Sequence, residues 1–157
     1  MKIDRSTIVL GISIVLGLMV AGPAQAVTVT KADDLSFGAV LAGVGGTVTV
    51  PASAGQPFDT NGVLLDGGQF PQGGAASFDV TNDTAGTETY ALSLQAQPSD
   101  LGSASLGLSS YVLSESSIEL GPGQSRRIYV GATLTLSGAL QSPGQHSATV
   151  PLTLLAQ

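Results

Sequence analysis

The sequence of 157 residues contains no cysteine and no tryptophan, and His146 is its one histidine. Without cysteine there are no disulfides, so an exported protein of this composition must be stabilised by its core or by assembly with neighbours. Zinc sites are built from several cysteine and histidine ligands, and a single histidine nearly excludes them. We therefore expect no bound metal and no cofactor.

Charged side chains are also scarce, at 10% of residues, and aromatic side chains make up 4%. After residue 26, only Lys31, Arg126 and Arg127 are basic, against ten acidic residues, which gives a formal net charge of −7. Such a surface repels phosphate backbones and argues against nucleic acid as a partner. Gly, Ser, Thr and Ala dominate instead, and they suit thin strands, tight turns and surfaces that pack against copies of themselves.

The first 26 residues have the pattern of an export signal. Lys2 and Arg5 make a basic start, residues 8–20 are apolar apart from Gly and Ser, and Ala24-Gln25-Ala26 supplies a small-x-small cleavage site. We expect cleavage after Ala26 and passage through the periplasm to the cell surface or the extracellular space. The mature chain would be a single domain of residues 27–157 with no membrane span. An uncleaved anchor is the alternative.

Apolar residues recur at every second position through most of the mature chain, which is typical of strands that bury one face. The pattern predicts an all-β fold, a Greek-key β-sandwich of about eight strands, after the signal peptide. Consecutive strands are expected to pair as hairpins within 35–50 and 76–96. No segment after Ala26 has a convincing helical period.

The clearest predicted pair lies at the end of the chain, where strands within 126–136 and 147–156 flank a Pro/Gly loop. Pro151 cannot donate to a sheet ladder, so one side of the last strand is expected to be unpaired near its middle. That side could be an open seam where a neighbour's arm docks, or the proline could block such docking. Two places are candidates for assembly with other subunits. They are the N-terminal arm of residues 27–34 and the last strand, with Val27, Val29, Val150, Leu152 and Leu154 as the interacting residues.

No catalytic site is evident in the sequence. His146 lies in a turn, and no Gly-x-Ser-x-Gly elbow presents a serine nucleophile. Paired carboxylates could serve a glycosidase, but the pairs Asp33-Asp34 and Glu115 with Glu119 lie at strand starts or turns, where charge keeps a surface soluble. We expect that the protein is not an enzyme.

The turn after residue 80 carries two weaker signals. Asp79, Thr81, Asp83 and Glu88 bracket it and offer oxygen ligands for calcium, although Asn and Asp in turns ordinarily cap their own backbone. Asn82-Asp83-Thr84 also matches the acceptor pattern for N-glycosylation.

Arg126 and Arg127 head the strongest predicted strand. Neighbouring positions on a strand point to opposite faces, so we expect one of the two to be solvated and the other to pair with a carboxylate.

Four short motifs resemble one family. They are Leu35-Ser36-Phe37-Gly38, the segment from Leu120 to Ser125, the segment from Val130 to Thr135, and Ser142-Pro143-Gly144. Together they are similar to the secreted bacterial domain-of-unknown-function family 4402. That family is related in pattern to spore coat protein U and, more remotely, to subunits of chaperone–usher pili.

The resemblance covers essentially all of the mature chain. It implies an immunoglobulin-like sandwich that is exported and not enzymatic. It also implies partners, which are further subunits of the same kind or a periplasmic chaperone. Related pilins assemble by lending a strand to the next subunit.

Two functional hypotheses follow. The first is a structural surface protein, a pilus- or coat-like subunit that associates through strand edges. The alternative is an extracellular module that binds glycans or another ligand through loops in the irregular segment 55–74, where Phe58 and Phe70 are the nearby aromatic residues.

Overall fold

The computed structural model describes residues 7–12, 27–41, 45–54, 59–61, 73–94, 106–137, 145–146 and 152–157. The described residues form strands and connecting turns, with no helix among them. The strands are β1 (Thr7–Ile12), β2 (Val27–Asp33), β3 (Leu35–Leu41), β4 (Gly46–Val50), β5 (Asp59–Asn61), β6 (Ala76–Asn82), β7 (Glu88–Leu94), β8 (Leu106–Leu113), β9 (Ser117–Leu120), β10 (Ser125–Leu136), β11 (Gln145–His146) and β12 (Leu152–Ala156).

The protein is a β-sandwich, as the alternating sequence predicts. One layer is a six-stranded sheet in the order β2-β6-β10-β4-β5, with β8 also paired to β10. The other contains the sheet β12-β7-β9, and a further three-stranded sheet has the order β11-β1-β3. Apolar side chains from β3, β4, β6, β7, β8, β9, β10 and β12 meet in one buried core. Burying each large side chain stabilises the fold by about 1.5–3 kcal/mol.

The three predicted hairpins are wrong. β3 pairs with β1, whereas β4 pairs with β10 and β5. β6 lies in the six-stranded sheet and β7 pairs with β12 and β9, and the final strands β10 and β12 belong to different sheets. The physical reason is that the two strands of each predicted hairpin lie in different sheets, and each buries its apolar row in the core from its own sheet.

The longest strand, β10, organises the six-stranded sheet. Along one edge, its first half pairs with β6 up to Val130, and its second half pairs with β4 from Ala132 onward. Along the other edge it pairs with β8. Gly131 lies where the partner changes from β6 to β4, and the backbone of residues 50–52 passes directly over it.

β8 contains a bulge opposite Ala132. Gly131 pairs with Val112 and Thr133 with Ser109, so Ser110 and Tyr111 together face one residue of β10. Ser110 has a φ of 53°, the left-handed conformation that the first residue of such a bulge can require. A non-glycine residue pays a steric cost there because its Cβ approaches the following carbonyl.

Ser110→Gly should therefore raise the free energy of unfolding by about 0.5–1 kcal/mol, because glycine adopts positive φ freely. The control is Ser109→Gly at the neighbouring exposed position, which has ordinary strand geometry and should instead lose about 0.5–1 kcal/mol. Thermal melts of the two variants would show midpoints shifted in opposite directions. A loss of stability in both would mean that position 110 is not left-handed in solution.

Within the described residues, no helix has the length and apolar character needed to cross a membrane.

Candidate functional site

The N-terminal segment occupies a slot between two strands of the domain. β1 runs antiparallel to β3 from Thr7–Leu41 to Ile12–Leu35, with an irregularity between Val9 and Gly11. On its other edge it runs parallel to β11, where Val9 faces Gln145 and Leu10 faces His146. In the described structure, β1 is therefore the strand that joins β3 to the last part of the chain.

Among the described residues, β3 makes one further backbone contact, on its remaining edge. Ser36 exchanges two backbone hydrogen bonds with Gly74, at 2.9 and 2.8 Å. The pairing of β3 with a whole strand, within the described residues, is with β1 alone. The backbone hydrogen-bond ladder along β3 is thus formed with β1, which lies in the slot between β3 and β11.

The predicted arm forms an edge strand of its own domain. Residues Val27 to Asp33 make β2, which pairs antiparallel with β6. Val27 and Val29 are partly buried and pack against the core, while the Thr28 hydroxyl donates to the Asp83 carboxylate. The arm is therefore docked on its own sheet, and its outer edge ends that sheet.

Of the other three predicted assembly residues, the structure describes Leu152 and Leu154. Leu152 and Leu154 are fully or almost fully buried and belong to the core of the domain. Both lie in β12, which pairs with β7. Val150 and Pro151 lie outside the described residues, as do Phe58 and Phe70.

The turn after β6 is organised by a buried asparagine, Asn82. The Asn82 amide nitrogen donates to the carbonyls of Gly86 and Leu120, at 2.8 and 2.9 Å. Its oxygen accepts from the Thr84 amide at 2.9 Å, the Thr84 hydroxyl at 2.8 Å and the Tyr90 hydroxyl at 3.1 Å. Burial raises the pKa of Tyr90 above its ordinary value.

A signal for this role was present in the sequence. Asn82 continues the row of Ala76, Phe78 and Val80, all of which point into the core, and a polar residue on a buried row needs partners. Because both amide hydrogens of Asn82 are engaged and the side chain is fully buried, the glycosylation acceptor is closed in the folded protein.

Three of the four candidate calcium ligands around this turn are bonded to other side chains. Asp79 binds Arg127, Thr81 bonds Ser125 at 2.6 Å, and Asp83 accepts from Thr28. No group of three or more His, Asp or Glu side chains close enough to hold a metal occurs in the part of the chain that the structure describes.

Arg126 and Arg127 both pair with carboxylates, where the sequence predicted one such pair, and Arg126 remains solvated with 58% of its side chain exposed. Arg126 binds Glu115 through two nitrogens at 2.8 and 3.0 Å, and Arg127 binds Asp79 at 2.8 and 2.6 Å. Hydrogen bonds from these guanidinium groups lower the pKa values of Glu115 and Asp79. Glu115, the partner of Arg126, lies in the connection between β8 and β9, whereas Asp79, the partner of Arg127, lies in β6. Partners on different elements are expected because adjacent residues of a strand point to opposite faces.

A polar cleft of about 410 Å³ lies beside this second ion pair. It is lined by Asp33, Asp34, Ser36, Ser53, Ala54, Gly73, Gly74, Ala75, Arg127 and Tyr129. The Ser77 hydroxyl donates to one oxygen of Asp33 at 2.6 Å, and Lys31 binds Asp34 at 2.8 Å. Both ends of the irregular segment, at Ala54 and Gly73, open into this cleft.

Each candidate carboxylate pair contains side chains that are bonded to other residues. Glu115 is held by Arg126, whereas Glu119 lies in β9 on the other sheet. Asp33 and Asp34 are held by Ser77 and Lys31. His146 lies in β11, whose described pairing is with β1.

A family model described as "Domain of unknown function (DUF4402)" matches residues 27–155 of the chain. The match begins at the first residue of β2 and reaches into β12, so it leaves β1 outside. No curated protein matches the sequence significantly.

Proposed function

Since the chain belongs to the family described as a domain of unknown function, DUF4402, we propose that it is an exported, non-enzymatic structural subunit that associates with other subunits through strand edges. The immunoglobulin-like, Greek-key form of the sandwich is part of the same proposal. So is a surface or extracellular location, reached after removal of residues 1–26 as an export signal.

The observation that carries the proposal is the position of β1. This strand belongs to the residues that export would remove, and it lies outside the family match. Its removal would leave the backbone N–H and C=O groups of β3 without the ladder that β1 provides. Buried or partly buried backbone groups require partners, and an open strand edge is a template for pairing with another chain.

A strand from a second subunit would restore this ladder. Such β-augmentation supplies backbone hydrogen bonds along the strand, and side chains at alternate positions give specificity. The absence of cysteine fits a protein whose stability is completed by its neighbours. The weakly charged surface fits close packing of subunits.

The exported protein should form oligomeric ladders on native gels and filaments or arrays by electron microscopy, after mass spectrometry has confirmed Val27 as its first residue. A synthetic peptide with the sequence of β1, Thr7 to Ile12, flanked by lysines for solubility, should occupy the slot and reduce assembly in proportion to its concentration.

The matched control is the same peptide with Val9 replaced by proline, which removes a backbone donor and bends the strand. It should leave assembly unchanged. A protein that stays strictly monomeric at high concentration would overturn the proposal, and equal effects of the two peptides would show that strand pairing at the slot is not involved.

A further inference from the structure

We propose that the polar cleft binds an uncharged saccharide. The cleft is distinct from the slot between β3 and β11, and its ligand would be bound whether or not the subunits assemble. Its volume of about 410 Å³ lies within the range of roughly 300–1,000 Å³ that is usual for small-molecule sites.

Four parts of the chain converge on the cleft, and most are fixed by the fold. Asp33 and Asp34 lie at the crossing from β2 to β3, just after the irregular pairing between Lys31 and Asp33. Gly74 is held by its two backbone bonds to Ser36, and Arg127 and Tyr129 project from the central strand β10. A site held by strands presents its groups in a defined geometry, which binding of a small polar ligand requires.

Several side chains at the cleft have a polar atom that makes no hydrogen bond to another described residue. Ser77 uses one carboxylate oxygen of Asp33 and leaves the other. Arg127 binds Asp79 through Nε and one terminal nitrogen, which leaves its second terminal nitrogen. The Tyr129 hydroxyl has no hydrogen-bond partner in the described part of the chain. Acceptors and donors placed side by side suit neighbouring sugar hydroxyls, each of which both donates and accepts.

The balance of charge selects against anions. Asp33, Asp34 and Asp79 are opposed by Lys31 and Arg127, both of which are already in ion pairs, so the cleft keeps one excess negative charge. The surrounding chain is also acidic. Phosphates and uronic acids would be repelled, whereas a neutral, hydroxyl-rich ligand would not.

Tyr129 supplies the aromatic surface that saccharide binding commonly uses. It is half-buried and is the one aromatic side chain that lines the cleft among the described residues. The ring gives apolar contact to the carbon-bearing face of a sugar while its hydroxyl stays available for hydrogen bonding. The sequence favoured Phe58 and Phe70 for aromatic contact with a glycan, whereas the aromatic residue of this cleft is Tyr129.

The exported protein can be titrated with maltotriose, cellotriose, chitotriose and, as an anionic comparison, trigalacturonate. Because the chain has no tryptophan, its emission comes from the three tyrosines Tyr90, Tyr111 and Tyr129. Of these, Tyr129 lines the cleft, so a change in emission that is lost in Tyr129→Phe is assigned to it. At least one neutral trisaccharide should produce a saturable change in emission and a matching calorimetric isotherm, and trigalacturonate should produce neither.

Single substitutions separate the contributions of individual residues to saccharide binding. Tyr129→Ala should weaken binding about tenfold. Tyr129→Phe should keep the calorimetric signal, weakened several-fold, but lose the emission change. Asp33→Asn should also weaken binding several-fold, while Asp83→Asn, a carboxylate outside the cleft, should leave it unchanged.

If none of the three neutral trisaccharides binds at concentrations up to millimolar, the proposal is overturned. It is also overturned by binding that survives both Tyr129→Phe and Asp33→Asn unchanged, two variants that preserve the shape of the side chains and do not depend on the fold tolerating alanine at position 129. Because the readout is binding to subunits in any state of assembly, a failure here leaves the assembly proposal intact, and the reverse also holds.

Discussion

Gly131→Ala should destabilise the protein by about 3 kcal/mol or more, or prevent it from folding. A Cβ carbon at this position would lie 2.7 Å from the Ala52 nitrogen and from the Pro51 carbonyl carbon, and closer still to the Val50 carbonyl oxygen. These atoms are all backbone. They cannot turn aside as the end of a flexible side chain can, so relief would require the β4 strand to separate from β10.

Urea denaturation measures this effect directly. With a slope typical of a small domain, a loss of 3 kcal/mol lowers the midpoint by roughly 1–3 M. Gly86→Ala is the matched control, because the nearest atom to a Cβ there is a Glu88 side-chain oxygen at 3.7 Å. Equal midpoints for the two variants would mean that residues 50–52 do not cross β10 as closely as the structure has them.

Asn82→Ala should lower the free energy of unfolding by about 2–4 kcal/mol, the second large effect that the structure predicts. The substitution leaves the Tyr90 hydroxyl and the Leu120 carbonyl without their bonds inside the protein, and it frees the turn at Thr84 and Gly86. The backbone of Asn82 also bonds the Gly123–Gln124 turn. One side chain therefore ties together β6, the start of β7 and the end of β9.

Tyr90→Phe measures how much of this loss of stability comes from the hydrogen bond between Tyr90 and Asn82. It removes one hydrogen bond and leaves the ring in the core, so about 1 kcal/mol should be lost. The double variant, Asn82→Ala with Tyr90→Phe, should lose less stability than the sum of the two single losses, because both single changes break the same hydrogen bond. Full additivity would contradict the bond between Tyr90 and Asn82.

Strand periodicity predicted the elements of this fold well because each strand buries one face. The rows of Phe78 and Val80 and of Ile128 and Val130 are buried as the alternation requires. Pairing partners were not predictable in the same way, since an apolar row shows that a strand has a buried face but not which layer it joins. In this protein the connection after Asn82 carries the chain to the other layer, and that depends on hydrogen bonds formed only in the folded turn.

The candidate sites were harder still to predict from the sequence. The cleft brings together residues as distant as Asp33, Ser53, Gly74 and Tyr129, and no local pattern marks such a set. The slot was hidden for a different reason, because residues 7–12 read as part of an export signal and not as a strand. Only the pairing of β1 with β3 and β11 shows that the domain has room for one more strand.

The central claim, that the slot is opened by export and filled by a second subunit, is tested most directly by hydrogen–deuterium exchange at the β3 amides, residues 35–41. The exported protein would be measured as assemblies and after mild dissociation to monomers. We predict that the β3 amides exchange quickly in the monomer and slowly in the assembly, while those of β6 and β10 are protected in both. Equal protection of β3 in the two states, or new protection confined to the outer edge of β2, would contradict the claim.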